Sequence, residues 1–373
     1  MSPSLRFPEF TGEWEEFSLG EIGDSFIGLT YKPTDTVPSG GIIVFRSSNI
    51  QDGCIDYKDI VRVNKKVREN LITKNGDLLI CARNGSSRLI GKNALLHRTD
   101  ANQTFGAFMM VFRSDKNHFV HHLLNTKRYT SQVAENLGAR INQITSSDLS
   151  SFRFFFPKDD KEMTRIASLF DLLDERIAVQ NRLIEDLKKL RCAVSNKLFQ
   201  SVKGVVIPLS GISNIVKGKQ INGDFLAEVG EYYVMNGGTE PSGYYDNYNV
   251  EANTISISEG GNSCGYVQFN RMPFWSGGHC YTIQDIVSDV ETLYLYHYLK
   301  SKEDSIMKLR IGTGLPNIQK KDLAEFKVII PAIEQQRTIS NILSLLERKT
   351  EIEGRMLIAM RTEKQYLLHQ MFI

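Results

Sequence analysis

The stretch "LGARINQITSSDLSSFRFFFP" at residues 137–157 returns as "IGTGLPNIQKKDLAEFKVIIP" at residues 311–331. Gly138 falls over Gly312, Asp148 over Asp322, Leu149 over Leu323, Phe152 over Phe326 and Pro157 over Pro331. Each copy then runs into a long helical stretch, 166–199 in the first and 339–372 in the second. The two overlay without a gap at a shift of about 173 residues. A repeat of this size is a duplicated domain plus a helix, because solenoid units run only about 20–50 residues. The chain therefore reads as two similar modules, a pseudo-twofold form suited to a target with two related halves.

The helices carry the stronger pattern. Ile166, Phe170, Leu173, Ile177, Ile184, Leu187, Val194 and Leu198 follow the alternating four-and-three spacing of a heptad seam. Ile339, Leu343, Leu346, Leu357, Met360, Leu367 and Met371 occupy the equivalent slots. Polar interruptions match too, with Gln180 over Glu353 and Arg191 over Lys364, as two helices fixing one register would require. Each helix follows a proline and opens on acidic residues, Asp159, Asp160 and Glu162 in one and Glu334 in the other, which suits the positive end of a helix dipole. A helix of some 35 residues is about 50 Å long and cannot be buried within either module. The seams are expected to pair antiparallel. Leu172, Leu183, Leu190 and Leu345 lie off the seam and leave apolar surface for a further protein.

Within the modules, short β-type runs are punctuated by Gly, Asn and Asp. The first holds "GIIVFRSSNI", "GDLLICARNG", "LIGKNALL" and "GAFMMVFRS", then one helix over 118–137; the second holds "NTISIS", "GYVQFN" and the helical "VETLYLYHYLKSKEDSIMKL". No βαβ alternation points to a doubly wound sheet. The expected class is α+β, two similar mixed α/β modules joined and spaced by two long antiparallel coiled-coil helices. The expected boundaries are 1–157, 158–201, 202–331 and 332–373.

A length of 373 residues fits two such modules, and hydrophobic and charged contents of 41% and 24% are those of a globular protein. No apolar run approaches a membrane span and the N-terminus lacks a signal-peptide core, so a cytoplasmic protein with no membrane partner is expected. Five cysteines without a CxxC pair encode neither a disulfide framework nor a zinc ribbon. The net charge of +2 divides unevenly: residues 14–156 carry 18 basic against 14 acidic groups, residues 200–331 carry 11 against 14. Nucleic-acid binding would thus depend on local patches.

"GSSRLIGK" at 85–92 looks like a phosphate-binding loop but has five residues between its glycines, ends in Asn93, and joins two strands. It reads as a β-hairpin, whose tip offers Arg83, Asn84, Arg88 and Lys92 either to solvent or to a DNA groove. In the second module, Asn262 in "SEGGNSCGYVQFN" takes the corresponding place and either reads adenine or belongs to a tight turn between strands, and Lys217 and Lys219 in "IVKGKQI" either hold phosphates or form a solvated turn. Arg62, Lys65 and Lys66 belong to the densest basic cluster, "VRVNKKVREN", a phosphate-contact candidate or a plain solvated face. His118, His121 and His122 have no carboxylate or thiol at ligand spacing in the sequence and read as a partly exposed helix start. No metal, cofactor or catalytic set stands out, so the chain is expected to be non-catalytic.

The helical segments "RIASLFDLLDERIAVQNRLIEDLKKLRCAVSNKLF" and "EQQRTISNILSLLERKTEIEGRMLIAMRTEKQYLLHQMF", with the opening "LRFPEFTGEWEEFSLGEI", resemble the conserved regions of type I restriction-modification specificity subunits. The resemblance covers essentially the whole chain. It implies two target recognition domains, from about Trp14 to Pro157 and Val205 to Pro331, each reading one half of a split site in double-stranded DNA. It also implies that the helices dock two methylation subunits, with two restriction subunits completing the complex. S-adenosylmethionine, ATP and Mg would then belong to those partners and not to this chain. Thr350 in the slot of Ile177, and Gly354 among helix formers, depart from the pattern. The alternative is a coiled-coil adaptor holding two protein-binding modules.

Overall fold

The computed structural model describes residues 2–139, 142–312 and 316–373. The chain divides into two compact units, one running to Val179 and including Met356–Ile373, the other Gln180–Arg355. Each unit therefore takes part of both long helices.

In the first unit, Asp24–Ile27, Met109–Arg113, Leu78–Cys81 and Asn93–Leu95 lie side by side in that order as an antiparallel sheet. The runs "LLIC" and "MMVFR" are buried along their length because each face of this sheet meets its own core. Leu78, Ile80, Met110 and Phe112 point into a cluster with Trp14, Phe119 and Phe156. Their neighbours Leu79, Cys81, Met109 and Val111 point into a second cluster with Phe45 and Phe105. This is the two-residue period of a strand, read on both faces. A smaller sheet orders Thr104–Phe105, Ile42–Phe45, Val61–Val63 and Thr36–Val37, its first pair parallel. Glu15–Ser18 pairs antiparallel with Arg153–Phe156, closing the module on its own ends.

The second unit repeats this plan. Asn214–Lys217, Cys280–Gln284, Thr254–Ser258 and Val267–Asn270 form the antiparallel sheet in the same order. Tyr232–Met235 pairs parallel with Trp275–Ser276, and Val205–Pro208 with Lys327–Ile330 closes the module. The duplication seen in sequence is thus a duplication of topology.

The long helices are Asp160–Ser201 and Ile333–Met371. In the first unit Phe170 meets Phe372, and Lys364 pairs with Asp174. In the second, Gln180 Nε2 donates to the backbone carbonyl of Glu353 at 3.0 Å, and Arg191 reaches Glu347 at 3.1 Å. Within each unit the partner numbers fall as the first helix advances, so the two run antiparallel. Every seam residue is buried or half-buried, whereas Leu172, Leu183, Leu190 and Leu345 are exposed as their spacing implied. The matched interruptions bind one another or equivalent carboxylates. Thr350 turns its hydroxyl back to the carbonyl of Leu346 at 2.8 Å.

Four local expectations are corrected. The helix expected over 118–137 is two helices, Asn117–Leu123 and Lys127–Ala139, because Thr126 Oγ1 and its backbone N–H both bond the Leu123 carbonyl and close the first one early. The second module's helix also breaks, into Thr292–Ser301 and Glu303–Met307. Only His118 is exposed at its helix start; His121 and His122 are buried. Glu162 is likewise more than a helix-dipole acid, being buried under a bidentate Arg6 at 2.6 and 2.7 Å. Among the described residues no helix is long and apolar enough to cross a membrane.

Candidate nucleic-acid interface

The hairpin expected in the first module forms. Leu78–Cys81 and Asn93–Leu95 are joined by residues 82–92, with one short helical turn at Ser87–Leu89 and no following helix, so the loop is not a phosphate-binding P-loop. Gly91 sits at φ +84°, and a Cβ there would lie 3.1 Å from the Tyr129 hydroxyl, so glycine is required. Arg83 and Arg88 are exposed on the loop and Lys92 is half-buried. The Arg83 guanidinium lies 5.4 Å from the ring centre of Phe108, itself 59% exposed. Asn84 is spent on the loop: its amide donates to Ser47 Oγ at 3.0 Å and accepts from the Ser86 N–H. Burial pushes the neighbouring Cys81 thiol up to about 11, which keeps it protonated and unreactive.

The other basic cluster lies on the smaller sheet. Arg62 belongs to the strand Val61–Val63. Lys65 Nζ is held by the Thr30 carbonyl at 3.0 Å and the Asp35 carboxylate at 3.4 Å. Arg62, Lys66, Arg88 and Lys92 have no side-chain hydrogen bond or ion pair among the described residues, and Lys66 and Arg88 are exposed.

In the second module Lys217 Nζ is tethered to Glu259 at 2.6 Å, and Tyr281 donates to the same carboxylate oxygen at 3.1 Å. Burial, then the Glu259 charge, raises the Tyr281 hydroxyl above its ordinary pKa, so it stays a donor. The other Glu259 oxygen is buried without a hydrogen bond, 3.7 Å from His279 Nδ1. Lys217 is therefore less available to a phosphate than its sequence context suggested. Among the described residues the Lys219 ammonium has no hydrogen bond or ion pair, while its carbonyl accepts from Trp275 Nε1 at 2.8 Å, and Asn262 is exposed. Gly218 between the lysines cannot be replaced cheaply, since a Cβ would sit 2.2 Å from the Gly277 carbonyl.

Two features escaped the sequence reading. The duplicated stretch itself lies against these loops: Ile144 N donates to the Ala82 carbonyl at 2.9 Å, and Ile318 N to the Glu259 carbonyl at 2.8 Å. Asn142 Nδ2 reaches the Gly85 carbonyl at 3.3 Å, and Gly261 N the Pro316 carbonyl at 3.1 Å. Phe108 and His279 also occupy equivalent exposed places, each just before a central strand and each accepting through its carbonyl from the loop, from Arg83 N and Glu259 N. Their signal was present in "GAF" and "GGH", glycine-led turns before apolar runs. Each module thus brings together one loop, one flanking ring and one segment of the repeat.

The family model of the type I restriction modification DNA specificity domain matches residues 11–189 and again residues 202–359. The chain belongs to this family. Each match takes in one module and much of the long helix that follows it. A type I specificity subunit named from Mycoplasma pneumoniae is 31% identical over 166 residues, 44% of this chain and 44% of the relative. One from Mycoplasma genitalium is 25% identical over 250 residues, 63% of this chain and 65% of the relative. The alignments thus span about half to two thirds of those relatives' lengths. Among solved structures, the S subunit of a type I restriction-modification system from M. genitalium shares the fold at a TM-score of 0.71, with 21% identity over 100% of this chain and 99% of that one.

Proposed function

We propose that this specificity-family chain is a non-catalytic DNA-reading subunit whose two modules each recognise one half of a bipartite site. The observation that carries this reading is that the duplication extends to the loops: each module presents a hairpin loop flanked by an exposed ring and by its own copy of the repeated segment. Arg62, Lys66, Arg88, Lys92 and Lys219 serve as phosphate contacts, while Arg83 beside Phe108 and Asn262 in the second module lie where base edges would be read. Lys65, Asn84 and Lys217 act through the loops they hold. Two methylation subunits dock on the long helices, over the exposed Leu172, Leu183, Leu190 and Leu345. Two restriction subunits complete the assembly. S-adenosylmethionine, ATP and Mg bind those partners.

The test is exchange of residues 14–157 for the same module of a relative, followed by methylation mapping of host DNA with the partner subunits present. One half of the recognised sequence changes and the other stays. A single continuous site, or a change in both halves, refutes two independent readers. The acidic balance of the second module favours the adaptor reading for that half, and a salt titration separates the two: phosphate contacts give a steep loss of DNA affinity with salt, whereas protein-binding modules give no DNA affinity to lose.

A further inference from the structure

His121 and His122 sit on the helix Asn117–Leu123, and both are buried. The Asn93 amide donates to the carbonyls of Gly91 and Leu124 at 3.3 and 3.4 Å, which leaves its oxygen 3.1 Å from His121 Nδ1. That oxygen only accepts, so Nδ1 carries the proton and Nε2 keeps its lone pair. His122 Nε2 lies 2.8 Å from the Asp171 carboxylate, and by the same reasoning donates to it. In the neutral ring Nδ1 keeps the lone pair; it is buried and without a hydrogen-bond partner, 3.8 Å from Asp174 Oδ2. One donor atom from each of His121, His122 and Asp174 lies within 4.8 Å of the others. Two lone pairs and a carboxylate gathered this closely repel one another, which a cation among them relieves; Lys364 already stands on the other Asp174 oxygen.

The second module supplies an internal comparison. Tyr296, His297, Ser344, Glu347 and Arg191 occupy the repeat positions of His121, His122, Asp171, Asp174 and Lys364. There the Tyr296 hydroxyl donates to Glu347 at 2.9 Å, His297 Nε2 bonds Ser344 Oγ at 2.9 Å, and Arg191 pairs with Glu347. A phenol satisfies the carboxylate and the cluster is closed. In the first module an imidazole replaces the phenol and a carboxylate replaces the serine behind the second histidine.

We propose that His121, His122 and Asp174 bind zinc(II) in the first unit. Two neutral imidazoles and a carboxylate are a zinc donor set, and a histidine whose second nitrogen donates to a carboxylate is the usual outer support of such a ligand. Donors about 2.0–2.1 Å from a tetrahedral ion are roughly 3.3 Å apart, so His122 and Asp174 close by about half an ångström from 3.8 Å, and the donor atoms that lie within 4.8 Å of one another draw in to the same spacing on binding. Lys364 already neutralises the other Asp174 oxygen, which lowers affinity without blocking Oδ2. The half-exposed Asp174 side leaves the fourth position to water. The ion ties the recognition module's helix to Asp160–Ser201 within one unit, so its binding energy adds to the docking of that helix.

The test uses the full chain, stripped with a chelator and titrated with zinc chloride against a chromophoric chelator. One equivalent is bound with two imidazoles and oxygen ligands in the X-ray absorption spectrum, and thermal unfolding of the first unit moves up with zinc. His121→Tyr, the residue the second module holds in that place, folds and loses the equivalent; Asp174→Asn loses it as well. Asp171→Asn weakens binding about 10–100-fold, and His118→Gln leaves it intact. No binding at micromolar free zinc, an equivalent retained in both His121→Tyr and Asp174→Asn, or loss in His118→Gln overturns the assignment.

Discussion

Truncating Phe372 to alanine tests whether the end of the second long helix is a structural part of the first module. Phe372 is 8% exposed, and its ring centre lies 5.1 Å from Phe119, 5.7 Å from Phe170 and 6.5 Å from Trp14. Deleting a buried phenylalanine costs about 3–5 kcal/mol through lost transfer energy and the cavity left behind. The site lies at a helix end that can partly collapse, so about 3 kcal/mol is the expected value. In a unit of this size each kcal/mol moves Tm by about 2–4 °C, giving a loss of about 6–12 °C. Two compact units need not unfold together, so calorimetry is combined with amide exchange to assign the transition. Exchange should accelerate in Leu78–Cys81 and Met109–Arg113 while Thr254–Ser258 and Cys280–Gln284 stay protected. Phe199→Ala is the mirror experiment, because Phe199 occupies the equivalent position and packs on Tyr294 and Tyr298 at 5.9 and 5.4 Å. A Tm change below about 2 °C for Phe372→Ala, or equal loss of protection in both units, would refute the reasoning.

Burial first, then the charges of Arg191 and Arg271, lowers His297 to about 4 from an ordinary 6.5. The unfolded chain binds a proton that the folded chain refuses, so stability is complete above about pH 6.5 and falls toward pH 4, by about 3 kcal/mol at 1.36 kcal/mol per unit. Urea unfolding at several pH values should show this slope in the second unit, flattened in His297→Gln. Gly354 lies inside the helix Ile333–Met371 with open space where a Cβ would stand. Gly354→Ala should therefore stabilise the second unit by about 0.5–1 kcal/mol, and destabilisation would show that the glycine serves a packing role.

The duplicated architecture, the two long helices and their seams were legible in the residues. Each rests on a period that neighbouring positions carry: Ile166 to Leu198 repeat every three or four residues, and "MMVFR" is apolar on both strand faces. The hairpin at 78–95 was legible for the same reason, since glycine-rich turns between apolar runs are local facts. What the sequence could not say was which distant groups meet. Lys217 reads as a phosphate ligand or a solvated turn, and only the fold brings Glu259 onto it; Asn84 reads as a residue of a hairpin tip, and only the fold sets its amide on Ser47. The helix break before Lys127 depends on the hydroxyl of Thr126 competing with the continuing backbone, a balance no hydrophobic period records. His121 and His122 lacked a third ligand in their own segment, and Asp174 arrives from a helix more than 50 residues away. Patterns between neighbours determine which elements form, because their energy comes from adjacent residues. Contacts between elements determine which charges remain free, because burial and pairing exist only once the chain has closed on itself.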